Sequence, residues 1–149
     1  MELPEFLVQA KINTYASNGE NGEEILKDGG RLLVYQEGEW EYKDRYFCSK
    51  SFIGEEIVLK NGKIVWGMNY FGGVISNTIE SRKVYDFLKK AMRQVKEDKP
   101  FRGPQEFNEG LYLYTNKNEG MIDDFSGSET IFLENKIVYQ LKYHGGFIK

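Results

Sequence analysis

The chain has 149 residues and a formal net charge of −3, from 20 basic and 23 acidic side chains; 40% of it is hydrophobic, with ten Tyr and ten Phe. This suffices for one compact domain with a real core and excludes a disordered chain. No basic arm stands out, no apolar run is long enough to cross a bilayer, and a lone cysteine, Cys48, excludes an internal disulfide framework, so neither nucleic acid nor membrane is an expected partner. The opening residues MELPEFLVQA lack a positive leader, and a reducing cytoplasm is the expected compartment.

Pro4 to about Ala16 reads as a short helix, with Leu3, Leu7 and Ala10 on one face and Pro4 in the first turn, where its missing N–H costs nothing. Residues 17–30, SNGENGEEILKDGG, read as a long mobile loop with a turn near Glu23 to Leu26. Arg31 to Gln36 is a strand. Trp40 to Cys48 alternates, with Trp40, Tyr42, Tyr46 and Cys48 on one face and Glu41, Lys43 and Arg45 on the other. Cys48 there reads as a small buried hydrophobe. Phe52 to Leu59 and Lys63 to Phe71 form a hairpin through Asn61-Gly62. In the second of these strands Ile64, Trp66, Met68 and Tyr70 point one way, and Gly67 and Asn69 the other.

A second helix carries the apolar stripe Val84, Phe87, Leu88, Ala91, Met92 and Val95 against a charged outer face, with Asn77 and Glu80 as a capping box and Lys99-Pro100 as its stop. A loop with Arg102-Gly103-Pro104 follows. Strands are then expected at Leu111 to Thr115, Met121 to Phe125, Glu129 to Leu133 and Lys136 to His144, with a hairpin turn at residues 117–120.

Phe52 to Ile75 aligns without a gap to Phe125 to Ile148, and ten of the 24 aligned positions are identical. Gly54/Gly127, Glu56/Glu129, Tyr70/Tyr143 and the Gly-Gly pairs 72–73 and 145–146 are among them. A period of about seventy residues implies an internal duplication. The expected fold is α+β: a single domain, 1–149, built of two helix-plus-antiparallel-strand repeats (about 1–76 and 77–149). Both helices should pack on one face of a curved antiparallel sheet or open barrel.

Glu56 and Glu129 occupy matching positions, so the pseudo-symmetry can bring two carboxylates to one cleft for acid–base work; alternatively each pairs with a cation. Glu55 shares a face with Ile53, Ile57 and Leu59, and needs a partner such as Arg45 or Arg102 if that face is the core. His144, the one histidine, aligns with Phe71, which favours a stacking or edge role over a general base. One His and one Cys do not make a zinc site, the Gly-Gly pairs fit no phosphate-binding fingerprint, and no cofactor is called for. The many Tyr and Trp on strands carry polar tips on apolar bodies and suit a pocket with a few polar anchors.

Gly54-Glu55-Glu56, Trp66-Gly-Met-Asn-Tyr70, Pro100-Phe-Arg-Gly-Pro104 and His144-Gly-Gly-Phe-Ile-Lys149 together resemble an uncharacterised bacterial domain family. Its members occur alone or behind helix-turn-helix domains of the XRE repressor type. The resemblance implies ligand or signal sensing and supplies no catalytic residues. This chain shows no helix-turn-helix pattern, so a regulatory role here calls for a partner.

The leading expectation is therefore a non-enzymatic small-molecule binding module with its pocket between the repeats, lined by Glu56, Trp66, Asn69, Tyr70, Arg102, Glu129, Tyr143 and His144. One alternative is an enzyme on a small polar substrate, with Glu56 or Glu129 as base and His144 or Arg102 assisting. The other is an interaction module acting as a homodimer or docked to a regulator.

Overall fold

A computed structural model gives the fold and describes residues 1–16, 22–48 and 50–149. In chain order the elements are α1 (Leu3–Asn13), β1 (Glu24–Ile25), β2 (Arg31–Glu37), β3 (Trp40–Cys48), β4 (Ser51–Lys60), β5 (Lys63–Val74), α2 (Ser81–Met92), β6 (Glu106–Glu109), β7 (Tyr112–Met121), β8 (Asp124–Leu133) and β9 (Lys136–Phe147). All the strands form one open sheet in the order β1-β2-β3-β4-β5-β9-β8-β7-β6, and every pairing is antiparallel. Among the described residues the fold is α+β, with two helices and an open sheet rather than a closed barrel. No described helix is long and apolar enough to cross a membrane.

Short hairpins set the register. Asn61 and Gly62 both take positive φ (50° and 77°), the backbone of a two-residue turn that matches strand twist. Glu134 and Asn135 do the same between β8 and β9 (49° and 67°) without a glycine. A register shift falls between Val58 and Leu59 on β4, and another between Ile131 and Phe132 on β8, 73 positions on. The central pair β5/β9 is the middle of the sheet, where Tyr70 lies opposite Tyr143 and Trp66↔Phe147 is matched by Val74↔Tyr139.

Both helices cover the same face. Phe6 of α1 packs against Tyr35 and Trp40 at ring separations of 5.8 and 5.5 Å. Phe87 of α2 packs against Phe107 and Tyr112 at 5.6 and 4.9 Å. Each helix thus plugs one aromatic ring into a two-strand platform at either end of the sheet, and such pairs add about 0.5–1.5 kcal/mol beyond area burial. The stripe Val84, Phe87, Leu88, Ala91 and Met92 is buried as its spacing predicts. Over the centre, Trp66 stacks on Phe125 (5.7 Å) and Phe52 on Tyr139 (6.4 Å).

Several expectations are corrected. Strand β7 runs unbroken through residues 117–120, and the turn to β8 is Ile122–Asp123. The second half therefore has long strands where two short pairs were expected. Glu24 and Ile25 form an edge strand on β2 rather than a turn, and residues 17–21 of the expected loop lie outside the described residues. Helix α1 stops at Asn13 and α2 at Met92, ahead of Lys99-Pro100. The N-cap of α2 is Glu80, with no side-chain cap bond; Asn77 instead accepts a hydrogen bond from Lys50 Nζ at 2.5 Å. Ile64 is exposed because the register shift turns it away from Trp66. Cys48 is exposed rather than buried.

Candidate functional site

The sheet separates two polar environments. On the helix-covered face, five ionisable side chains of opposite sign are buried: Lys11, Asp44, Glu56, Arg102 and Glu129. Lys11 follows Leu7 by one helical turn, so the apolar stripe of α1 carries the ammonium into the core, where it pairs with Glu56. In the other half Arg102 Nη2 pairs with Glu129 Oε1 at 2.9 Å. Tyr139 donates to the same oxygen at 3.0 Å, and Tyr114 donates to Oε2. The Gly103 amide closes the shell on the Tyr114 hydroxyl at 3.0 Å. Each glutamate is thus held by its own cation, the alternative to two carboxylates sharing one cleft.

Tyrosines extend this layer. Tyr70 donates to Asp44 Oδ1 at 2.5 Å, and Tyr143 donates to Asn116 Oδ1 at 2.7 Å. Gly54 and Gly127 make room for these rings, since a methyl on either would strike the Tyr70 or Tyr143 side chain. The Arg102 guanidinium lies 5.3 Å from the Tyr70 ring centroid and 5.7 Å from that of Tyr15. Trp66 donates its indole N–H to the Ile122 carbonyl at 3.1 Å.

Charge is not balanced in this layer, which holds three acids and two bases. Burial, then the charge of Glu56, pushes the Asp44 carboxyl up to about 7. Burial lowers the Lys11 ammonium, opposed by its pairing with Glu56. For Arg102, burial works against the charge, but Glu129, together with the Tyr139 and Tyr15 phenols, more than offsets it and holds the guanidinium protonated. Burial raises the phenols of Tyr70, Tyr114 and Tyr139, so they stay hydrogen-bond donors.

The opposite face has no helix cover and carries a concavity of about 1110 Å³ spanning β3, β4, β5, β9, β8 and β7. Two cross-strand rows line it. The first is Phe47, Ile53, Phe71, Lys142, Ser128 and Lys117; the second is Arg45, Glu55, Asn69, His144, Ser126 and Glu119. The floor between them is backbone at Gly54, Tyr70, Tyr143 and Gly127. Arg45 is taken by Asp28, so it does not serve Glu55, which is exposed. Neither Lys117 nor Lys142 has an ion-pair partner among the described residues.

The residues expected to share one pocket are thus divided. Asn69 and His144 face each other across β5 and β9 on the uncovered side. Tyr70 and Tyr143 contribute to its floor while their rings point into the core. Glu56, Trp66, Arg102 and Glu129 lie in the covered layer, and the rings there fill the space between sheet and helices. Sequence reasoning missed Lys11, Asp44 and Asn116. Lys11 was legible at four residues after Leu7, and Asp44 at the period-two position between Tyr42 and Tyr46. Lys117 and Lys142 had no local signal, since only strand order puts them in one row.

Among the described residues no group of three or more His, Cys, Asp or Glu could hold a metal ion. Comparison with the curated proteins and with the solved structures gives no match. The profile of a domain-of-unknown-function family matches residues 44–148, which takes in every strand from β4 onward and both rows of the concavity. The chain belongs to that family, the Domain of unknown function DUF5680.

Proposed function

We propose that this chain is a non-enzymatic binding module whose small-molecule seat is the uncovered concavity over the β5/β9 seam. The observation that carries this reading is the pairing of a covered face packed with buried side chains, whose two glutamates are both ion-paired, with an open face hollowed to about 1110 Å³. Small-molecule sites are concave, largely pre-formed and mixed in polarity. Of the side chains singled out from sequence, Asn69 and His144 would touch the ligand, Tyr70 and Tyr143 would form the floor, and Glu56, Trp66, Arg102 and Glu129 would hold the floor from below. A nucleophile–base pair is not part of this reading, because both glutamates are already engaged by cations.

The same reading takes the two halves as copies of one ancestral unit. The matching positions of the register shifts, of the Gly54–Tyr70 and Gly127–Tyr143 contacts and of the Glu56 and Glu129 ion pairs support it. A reducing cytoplasm is part of the same proposal, and the single free cysteine is compatible with it.

The test is a thermal-shift screen of small metabolites against the wild-type chain and a Phe71→Glu variant. Phe71 is 62% exposed, so the substitution spares the core. Hits that raise the melting temperature of the wild type and not of the variant are expected. A screen without hits, or hits indifferent to Phe71, overturns the assignment.

A further inference from the structure

The two rows of the concavity differ in a way that selects a ligand class, an inference that rests on the binding reading above. Along the first row the three strands of the first half present only apolar side chains: Phe47, Ile53 and Phe71, exposed by 40%, 56% and 62%. The next three strands present Lys142, Ser128 and Lys117 in direct register. Adjacent strands lie about 4.8 Å apart, so each half-row is about 10 Å wide. A hydroxyl flanked by two ammonium groups on neighbouring strands matches an oxyanion, with charge-assisted bonds from both sides. The second row does not offer this. There Glu55 and Glu119 contribute negative charge, and Arg45 is already paired with Asp28.

We propose that the seat takes an amphipathic oxyanion: an apolar body about 10 Å long, laid across β3, β4 and β5 on Phe47, Ile53 and Phe71, with a carboxylate or phosphate head between Lys142 and Lys117. The elongated first row excludes a compact inorganic anion as the full ligand, because its apolar half would remain uncovered. The acidic groups of the second row disfavour a branched anionic head that spreads sideways.

The experiment is a calorimetric titration of the full chain with decanoate, decyl phosphate, decanol, decyltrimethylammonium and acetate. At least one of the two amphipathic anions is expected to bind about tenfold more tightly than decanol, which is ~1.4 kcal/mol. The one preferred identifies the head. The double variant Lys117→Gln, Lys142→Gln should bring that anion down to the level of decanol while leaving decanol unchanged, which also shows that the variant is folded. Phe71→Ser should weaken both. Decanol or the cation binding as well as the anions would overturn the ligand class and leave the seat standing. The same holds if none of the five binds while hits from the metabolite screen still depend on Phe71. Binding by nothing, with Phe71 and Ile53 instead closing a concentration-dependent dimer, would overturn both the class and the seat.

Discussion

Asp44→Asn should stabilise this protein, and more so as pH rises. Asp44 is the unmatched acid of a buried layer in which Lys11 balances Glu56 and Arg102 balances Glu129. The corresponding place in the other half is held by Asn116, which accepts from Tyr143 as Asp44 accepts from Tyr70. Burial raises the Asp44 carboxyl from an ordinary 3.8 to about 7, so the folded chain keeps a proton there that the unfolded chain releases from about pH 4. The sign follows from linkage. With the folded value above the unfolded one, the Asp44 contribution is fully favourable below about pH 4 and is lost as pH climbs to about 7. Each pH unit in that window removes about 1.4 kcal/mol, so the interval from pH 5 to 7 is worth roughly 3 kcal/mol. Asparagine keeps the acceptor for Tyr70 and has no proton to lose. Urea unfolding of both proteins at pH 5 and pH 8 should show the variant's advantage growing by about 3 kcal/mol at unchanged m-value. An advantage that is the same at both pH values, or a variant that weakens as pH rises, would refute the charge accounting.

Two further sets of substitutions probe the same face. Lys11→Met should cost about 3–5 kcal/mol because it strands a buried Glu56 carboxylate, whereas Lys11→Met with Glu56→Leu should fall within a few kcal/mol of wild type; equal losses in chemical denaturation would contradict a paired buried charge. Gly54→Ala and Gly127→Ala should each cost about 1–3 kcal/mol, since the new methyl forces the Tyr70 or Tyr143 ring off its seat. A loss at one glycine and none at the other would show that the two halves do not use these rings alike.

Local chemistry in the sequence was enough to find the Asn61-Gly62 hairpin, the Trp40–Cys48 strand and the stripe of α2, because each depends on neighbours a few residues apart. Failures came where a distant contact decides. Lys117-Asn118-Glu119-Gly120 has turn composition, yet β8 pairs with all of it, and Lys117 and Glu119 are exposed on the open face. Asn77 has capping chemistry but is occupied by Lys50, 27 residues away. Ile64 follows period two until the extra residue Val65 in its own strand shifts the register against β4 and turns it outward.

The candidate site was half legible for the same reason. The aligned repeats pointed to Tyr70, Tyr143, Asn69 and His144 at the seam, and the structure sets Tyr70 opposite Tyr143 and Asn69 opposite His144. The face on which each side chain emerges depends on burial, and burial on which face the helices cover. Nothing within a strand states that Glu56 lies under a helix while Glu55 does not. The lysine pair was invisible because Lys142 and Lys117 meet Ser128 only through two successive strand pairings.

The binding seat is tested most directly by methyl spectra of isoleucine-labelled protein titrated with decanoate. Ile53 stands on the uncovered face at 56% exposure, and Ile131 is fully buried on the helix side of the same sheet. The Ile53 methyl should shift progressively and saturate while that of Ile131 stays in place. Saturable movement of Ile131 with Ile53 unmoved would put the guest on the wrong side of the sheet and contradict the account.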